Sequence, residues 1–269
     1  METDMQNGRS QIAAAFQNAQ QTRTAALMPY FTLGYPDRAS SLDIIEAIAP
    51  HCDLMELGVP FSDPLADGPT VQHSTQVSLE NGTTVSDCLQ MVRELRQRGV
   101  TTPVLLMGYY NPYMAYGLEA IVKDAAEAGV QGFIIPDLPP EEADEIEQLA
   151  TEQGLSLVHF LAPTSNDERI DDVAKRATGF IYLVSLTGVT GARRDLDSSL
   201  GDFVERVREK ANVPLAIGFG ISTPEHAASV GQMADGVIVG SALINAVNQA
   251  DDKPAAAANF VKTLHDALG

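Results

Sequence analysis

Short apolar runs alternate with amphipathic stretches along most of the chain, and this alternation predicts strands and helices in regular succession. Runs of this kind, which end in turn-forming residues, are typical of parallel strands covered on both faces. Between them apolar residues recur at helical spacing, as Leu42, Ile45 and Ile48 do in a helix predicted at 40–49. The predicted strands are 25–32, 53–58, 103–108, 132–136, 155–161, 179–185, 213–218 and 235–239.

The even spacing of these strands predicts an α/β fold, a closed (β/α)8 TIM barrel. Eight strand–helix units in about 250 residues fit that barrel, and no linker divides the chain, so we expect one domain over residues 1–269. Residues 1–24 form an N-terminal extension whose helix, at 10–20, directs Ile12 and Phe16 toward the bottom of the core. The alternative is a doubly wound open sheet, but the GxGxxG motif expected near its first strand is absent.

One carboxylate interrupts the apolar strand predicted at 53–58. Strand alternation directs Glu56 to the same face as Leu54, and Met55 and Leu57 to the opposite face. Burial raises the pKa of a carboxylate, and a Glu that titrates near neutral pH suits general acid/base chemistry. The alternative is a strand-end residue whose side chain reaches solvent.

The loop after this strand carries a second carboxylate. Prolines and glycines exclude regular structure from 60–69 and hold Asp67 beyond the carboxyl end of the strand. A (β/α)8 barrel places its active site at that end. In polar surroundings Asp67 would take a role separate from that of Glu56, and the pair favours the acid/base interpretation.

Glycine-rich turns after strands seven and eight predict a phosphate site. The segments IGFGIS, at 217–222, and VGSA, at 239–242, each lead toward a helix, and backbone N–H groups at helix N-termini bind phosphate. Neither turn contains Lys or Arg, so backbone groups and a Ser hydroxyl would hold the phosphate. The alternative is ordinary strand-to-helix geometry. After strand six, the long segment 186–195 is expected to be a loop with glycine hinges that closes over the site.

Composition narrows the chemistry further. The formal net charge of −19 leaves no basic patch for nucleic acid, and no apolar run is long enough to span a membrane. Two cysteines without motif spacing and no signal peptide indicate a cytoplasmic protein. The lysines all fall in helices or the tail, which argues against a Schiff-base nucleophile, and the histidines lack metal-ligand spacing. With Schiff-base and metal-assisted reactions unsupported, the residues favour carboxylate acid/base chemistry on a phosphorylated substrate.

The chain resembles the family of tryptophan synthase alpha subunits. The likeness covers nearly the whole chain, through MPYFTLGYPD, LMELGVPFSDPLADGPTVQ, LLMGYYNP, IIPDLPPEE, YLVSLTGVTGAR, GFGIS and VGSA, and the second block is highly specific. The resemblance implies a lyase of tryptophan biosynthesis that cleaves indole-3-glycerol phosphate by a retro-aldol reaction. Its products are indole and glyceraldehyde 3-phosphate.

The resemblance also implies roles for individual residues. Glu56 is implied as the acid/base at the glycerol hydroxyl and indole C3, Asp67 as the partner of the indole N–H, and Tyr182 as a neighbour of the reacting centre. The implied phosphate ligands are Gly191, Gly220, Gly240 and Ser241. The implied indole pocket is formed by Tyr30, Leu106, Ile134 and Phe219, although core packing is the alternative for the apolar ones. The family often has Phe where this chain has Tyr30, which makes that wall more polar.

A partner is implied as well. In the family, loops at the barrel mouth contact a beta subunit that receives indole through a tunnel, so we expect an alpha2beta2 heterotetramer. Segments 60–67 and 109–112 would supply the contacts, with Asp63 and exposed aromatic rings. Pyridoxal phosphate is expected only on the beta subunit, and no metal or cofactor on this chain. The alternatives are a barrel that only scaffolds a partner, which Glu56 and Asp67 argue against, and another phosphate-binding barrel such as a sugar-phosphate isomerase or epimerase.

Overall fold

Eight parallel strands close into a barrel in the order of the sequence. The structure, a computed structural model, describes residues 7–184, 193–218 and 220–269, with the backbone alone for 193–199. Strand β8 pairs with β1, Ala26 opposite Gly236, which closes the sheet. The TIM-barrel prediction is confirmed, and the open-sheet alternative is wrong. The strands are β1 (Ala26–Thr32), β2 (Met55–Gly58), β3 (Val104–Met107), β4 (Gly132–Ile134), β5 (Ser156–Leu161), β6 (Ile181–Val184), β7 (Leu215–Gly218) and β8 (Gly236–Val239).

Helices surround the barrel and connect its strands. They are α1 (Gly8–Thr22), α2 (Arg38–Ile48), α3 (Pro69–Glu80), α4 (Val85–Gln97), α5 (Tyr110–Tyr116), α6 (Leu118–Ala128), α7 (Asp144–Glu152), α8 (Asp167–Arg176), α9 (Arg193–Arg208), α10 (Pro224–Gly231), α11 (Ser241–Asn248) and α12 (Lys253–Ala267). Short 3₁₀ turns lie at Ala49–His51 and Pro140–Glu142. No helix in the described part of the chain is long and apolar enough to cross a membrane.

Several connections differ from the sequence prediction. Where one helical region was placed around 85–98, the structure has both α3 and α4. Helices α5 and α10 were not predicted, because α5 is only 7 residues long and α10, PEHAASVG, shows little apolar periodicity. Helix α9 begins at Arg193, so the last three residues of the loop predicted at 186–195 are helical. Residues 186–192 of that loop lie outside the described residues.

Strand alternation separates an inner from an outer core. Leu54 belongs to the cluster inside the barrel, whereas Met55 and Leu57 pack in the layer between strands and helices. Helix α1 closes the amino-terminal end of the barrel, where its Ile12 and Phe16 join the inner cluster. The predicted packing of this helix is therefore confirmed. At the opposite end, the described residues form a cavity beyond the carboxyl termini of the strands.

Candidate active site

A cavity of about 410 Å³ opens at the carboxyl ends of the strands. Its volume lies within the range of small-molecule sites, and it brings together most of the side chains that the sequence singled out. The lining residues are Tyr30, Glu56, Ala66, Asp67, Gly68, Val71, Met107, Tyr182, Gly220, Ile221, Ser222, His226, Ile238, Gly240, Ser241, Ala242 and Asn245.

Glu56 lies on β2 and points into this cavity. The side chain is fully buried, and neither carboxylate oxygen has a hydrogen-bond partner among the described residues. Burial raises the pKa of Glu56 to about 8. The side chain can therefore carry a proton near neutral pH, and the solvent-facing alternative is wrong.

Asp67 reaches the same cavity from the loop after β2. One of its oxygens, Oδ2, accepts a hydrogen bond of 3.1 Å from the hydroxyl of Tyr109, which itself accepts the N–H of Ala66 at 2.9 Å. Burial raises the pKa of Asp67 to about 6, and the hydrogen bond from Tyr109 opposes that rise. Between about pH 6 and 8, one carboxyl is ionised while the other, Glu56, is protonated.

Tyr109 is a site residue whose predicted exposure is wrong. It was expected to expose its ring at the barrel mouth, but its side chain is buried and its ring lies 5.4 Å from that of Phe61. A tyrosine directly beyond the carboxyl end of a barrel strand could have suggested this position, since such residues border the active site. Its hydroxyl links the carboxylate of Asp67 to the backbone of the same loop.

Two tyrosines occupy space that glycines leave free. The hydroxyl of Tyr30 lies over Gly58 and that of Tyr182 lies over Gly218, so a Cβ atom at either glycine would overlap the phenol. Both phenols line the cavity. Burial raises the pKa of Tyr182, and the nearby carboxylate of Glu56 raises it further, so the phenol keeps its proton.

The turns after β7 and β8 meet on one side of the cavity. Gly240 is the N-cap of α11 and Ser241 its first residue, so free backbone N–H groups face the cavity at that helix end. Gly220 has a φ of +76°, a conformation that favours glycine, and precedes α10. Ser222, His226 and Asn245 line the same side and were not predicted. Gly191 and Phe219 lie outside the described residues.

The expected apolar wall is only partly correct. The prediction that Leu106 lines the pocket is wrong, since its side chain is fully buried in the outer layer. Alternation along β3 directs Leu105 and Met107 inward instead. Met107 lines the cavity in its place. Ile134 is fully buried in the inner cluster and is not among the cavity-lining residues.

Comparisons with known proteins agree with this geometry. The family model "Tryptophan synthase alpha chain" matches residues 16–268. A tryptophan synthase alpha chain of Chloroflexus aurantiacus is 50% identical over 262 residues, which cover 96% of this chain and 98% of the relative.

Solved structures agree as well. The tryptophan synthase subunit alpha of Legionella pneumophila has a TM-score of 0.89 at 35% identity, covering 96% of this chain and 98% of that one. A chain of the tryptophan synthase complex from Pyrococcus furiosus has a TM-score of 0.81 at 35% identity, and the match covers 89% of this chain and 97% of that one. Near-complete matches at this identity establish that the chain belongs to the tryptophan synthase alpha chain family.

Proposed function

We propose that Glu56 and Asp67 carry out the retro-aldol cleavage of indole-3-glycerol phosphate to indole and glyceraldehyde 3-phosphate. The activity, that of a lyase in tryptophan biosynthesis, follows from the family, and the residue roles are the proposal. One observation carries it: a fully buried carboxyl, without a hydrogen-bond partner in the described part of the chain, faces a cavity that a second carboxylate shares. Buried polar groups are normally hydrogen-bonded, and a buried carboxyl that lines a cavity is placed to bond to a ligand held there.

Glu56 moves two protons in this scheme. Its protonated form gives a proton to C3 of the indole ring, which leaves a positively charged indolenine. The resulting carboxylate then removes the proton of the glycerol hydroxyl next to the ring. The electrons of the carbon–carbon bond return to the ring, the hydroxyl oxygen becomes the aldehyde, and Glu56 is protonated again. A carboxyl with a pKa near 8 can exchange a proton in both directions at neutral pH.

Asp67 stabilises the charge that develops during the first proton transfer. The indolenine carries its positive charge on the ring N–H, and a carboxylate there stabilises it as a preorganised counter-charge. Tyr109 holds one carboxylate oxygen of Asp67 in place and leaves the other for the substrate. Tyr182, beside Glu56, borders the reacting carbon.

The phosphate is bound by the turns after β7 and β8, through Gly220, Gly240 and Ser241. We expect Gly240→Val to raise KM about 10- to 100-fold, which corresponds to the loss of one or two charge-assisted hydrogen bonds. A Cβ at Gly240 already meets the Tyr30 side chain at 3.4 Å, and both residues line the cavity, so the larger Val side chain would crowd the cavity wall there. Steady-state kinetics of indole release measure this change, with kcat affected less than KM.

The matched control is Gly201→Val, on α9, where an added Cβ meets nothing within 4 Å. Its KM should equal that of the parent. If Gly240→Val bound glycerol 3-phosphate as tightly as the parent, the phosphate site would have to lie elsewhere.

A beta-subunit partner docks at the barrel mouth in this proposal, in an alpha2beta2 heterotetramer. Leu65 is 92% exposed and Met114 56% exposed, and they are the exposed large hydrophobic side chains of the described residues. Leu65 lies in the Asp67 loop and Met114 on α5, and the hydrogen bond from Ala66 to Tyr109 joins these segments. The similarity to a chain of the Pyrococcus furiosus complex supports such a partner. Pyridoxal phosphate belongs to the beta subunit, and this chain needs no cofactor.

The partner is tested through indole release by the chain alone and with a beta subunit. We expect beta to raise kcat, because contact with Leu65 and Asp63 fixes the loop that carries Asp67. Leu65→Ser and Asp63→Ala should each weaken association, whereas Gln17→Ala, exposed on α1 at the opposite end, should not. If beta changes neither kcat nor KM and the chains do not co-migrate, the partner proposal is wrong. Release of indole by neither sample would contradict the activity itself.

A cytoplasmic location completes the proposal. Cys52 and Cys88 are both free thiols, with Cys88 fully buried, as expected in a reducing compartment.

A further inference from the structure

Tyr30 ends a chain of buried hydroxyls that leads away from the cavity. Its phenol oxygen lies 3.2 Å from Oγ1 of Thr32, which lies 2.7 Å from Oγ of Ser74. The Ser74 hydroxyl in turn donates to the carbonyl oxygen of Val71 over 2.8 Å. Thr32 and Ser74 are fully buried, so water does not compete for these bonds. The chain connects β1 to the first turns of α3.

The direction of every proton in this chain is fixed. A carbonyl oxygen can only accept, and each hydroxyl has a single proton to donate. Because Ser74 donates to Val71, it must accept from Thr32, and Thr32 must therefore accept from Tyr30. The proton of Tyr30 is thus committed to Thr32, and the phenol oxygen is left with a lone pair that can only accept.

The phenol oxygen is placed beside the catalytic carboxyl. It occupies the space over Gly58, where a side chain at that position would lie. Glu56 precedes Gly58 by two residues on the same face of β2, and it is also the register partner of Tyr30 across the β1–β2 pair. A substrate group that contacts the Tyr30 oxygen is therefore next to the atoms that Glu56 serves, on the side of the cavity mouth.

We propose that Tyr30 is a specificity-determining residue whose oxygen accepts a hydrogen bond from an N–H or O–H donor of the substrate. The inference rests on the proposed cleavage of indole-3-glycerol phosphate, which offers donors of two kinds near Glu56. They are the indole N–H, which Tyr30 and Asp67 would then share, and the glycerol hydroxyls. A phenylalanine in place of Tyr30 would fill the same space without accepting any hydrogen bond. This chain therefore favours ligands with a donor at that point over isosteres without one.

The test measures dissociation constants of two ligands by calorimetry, for the parent and for Tyr30→Phe. One ligand is indole-3-propanol phosphate, which keeps the ring N–H but lacks the glycerol hydroxyls. The other is its benzofuran analogue, in which a ring oxygen replaces the N–H. If the N–H is the donor, Tyr30→Phe should reduce the preference for the indole ligand about 3- to 10-fold, as expected for one neutral hydrogen bond.

If a glycerol hydroxyl is the donor, both propanol ligands should bind Tyr30→Phe as they bind the parent. The loss then appears in the dissociation constant of indole-3-glycerol phosphate itself, measured with and without Tyr30→Phe in a Glu56→Gln background that prevents turnover, again by about 3- to 10-fold. Either result supports the proposal and identifies the donor. The proposal is overturned if Tyr30→Phe folds and changes the affinity for none of the three ligands by more than about twofold. These ligands are indole-3-propanol phosphate, its benzofuran analogue and indole-3-glycerol phosphate.

Thr32→Val distinguishes a directed hydrogen bond from packing. It removes the acceptor of the Tyr30 proton, so the phenol can donate into the cavity and the preference for donor ligands should fall. In the Tyr30→Phe background, Thr32→Val should not lower the preference for donor ligands any further. If it lowered that preference as much as it does in the parent, the cause would be packing and the proposal would be overturned. The binding measurements need no turnover, so they remain decisive even if the parent releases no indole. A parent that releases no indole would contradict the proposed function but not the proposed role of Tyr30.

Discussion

Glu56→Gln is expected to abolish indole formation and, at the same time, to make the folded protein more stable at alkaline pH. The amide keeps the volume of the carboxyl but cannot exchange a proton, so kcat should fall about 10²- to 10⁴-fold. The stability effect has a separate cause. Burial disfavours the ionised form of Glu56 in the folded state, and the amide has no such form.

The pH window of the stability effect follows from the raised pKa. The ordinary pKa of the Glu56 carboxyl is 4.5 and the folded value is about 8, so between these values the folded state holds a proton that the unfolded state has lost. The free energy of unfolding of the parent therefore falls as pH rises from 4.5 to 8. Relative to the parent, the free energy of unfolding of Glu56→Gln should rise by about 3–5 kcal/mol as pH increases through this window. Above the window the difference should stay constant.

Urea unfolding of both proteins at several pH values measures this gain. The control is Glu127→Gln, since Glu127 is exposed on α6, and its difference from the parent should be small at every pH. A constant difference between Glu56→Gln and the parent from pH 5 to 9 would mean that the carboxyl is not held protonated. Wild-type turnover by folded Glu56→Gln would contradict the mechanism outright.

The inward direction of Glu56 could be predicted because it depends on one local rule. Alternation along β2 places Glu56 and Leu54 on one face, and closing the sheet makes that face the interior. The same rule places Leu106 in the outer layer, whereas its expected pocket position rested on its place near a strand end and on the resemblance. A shift of one residue along β3 exchanges Leu106 for Met107 and so moves the side chain from cavity to outer layer.

Contacts between distant segments could not be predicted from the sequence. The hydroxyl of Tyr109 meets Asp67 only because two loops come together, over a separation of 42 residues. Tyr30 and Ser74 are likewise joined through Thr32 by the packing of α3 against β1. Patterns of period 2 or 3.6 give the direction of a side chain within its element, not the polar group it will meet. The candidate carboxylates were therefore predictable, but their hydrogen-bond partners were not.

Asp67→Asn is expected to lower kcat/KM about 10²- to 10³-fold, in the range of removing one preorganised electrostatic contact to a transition state. The amide cannot supply the negative charge that stabilises the ring N–H of the indolenine. The same assignment predicts a bell-shaped pH profile of kcat/KM for the parent. Its acid limb, near pH 6, reports ionisation of Asp67, and its alkaline limb, near pH 8, reports loss of the Glu56 proton.

Tyr109→Phe separates the charge of Asp67 from the position of its side chain. The hydrogen bond from Tyr109 lowers the pKa of Asp67, so its loss should move the acid limb to higher pH. The activity of Tyr109→Phe should then fall most near pH 6 and recover as pH rises toward 8, whereas Asp67→Asn should stay impaired throughout. Tyr116→Phe is the control, because the Tyr116 hydroxyl donates to Asp124, outside the cavity, over 2.6 Å. If Tyr109→Phe left the acid limb unchanged, Asp67 would not be the group that titrates there, and its role as the ionised carboxylate would be wrong.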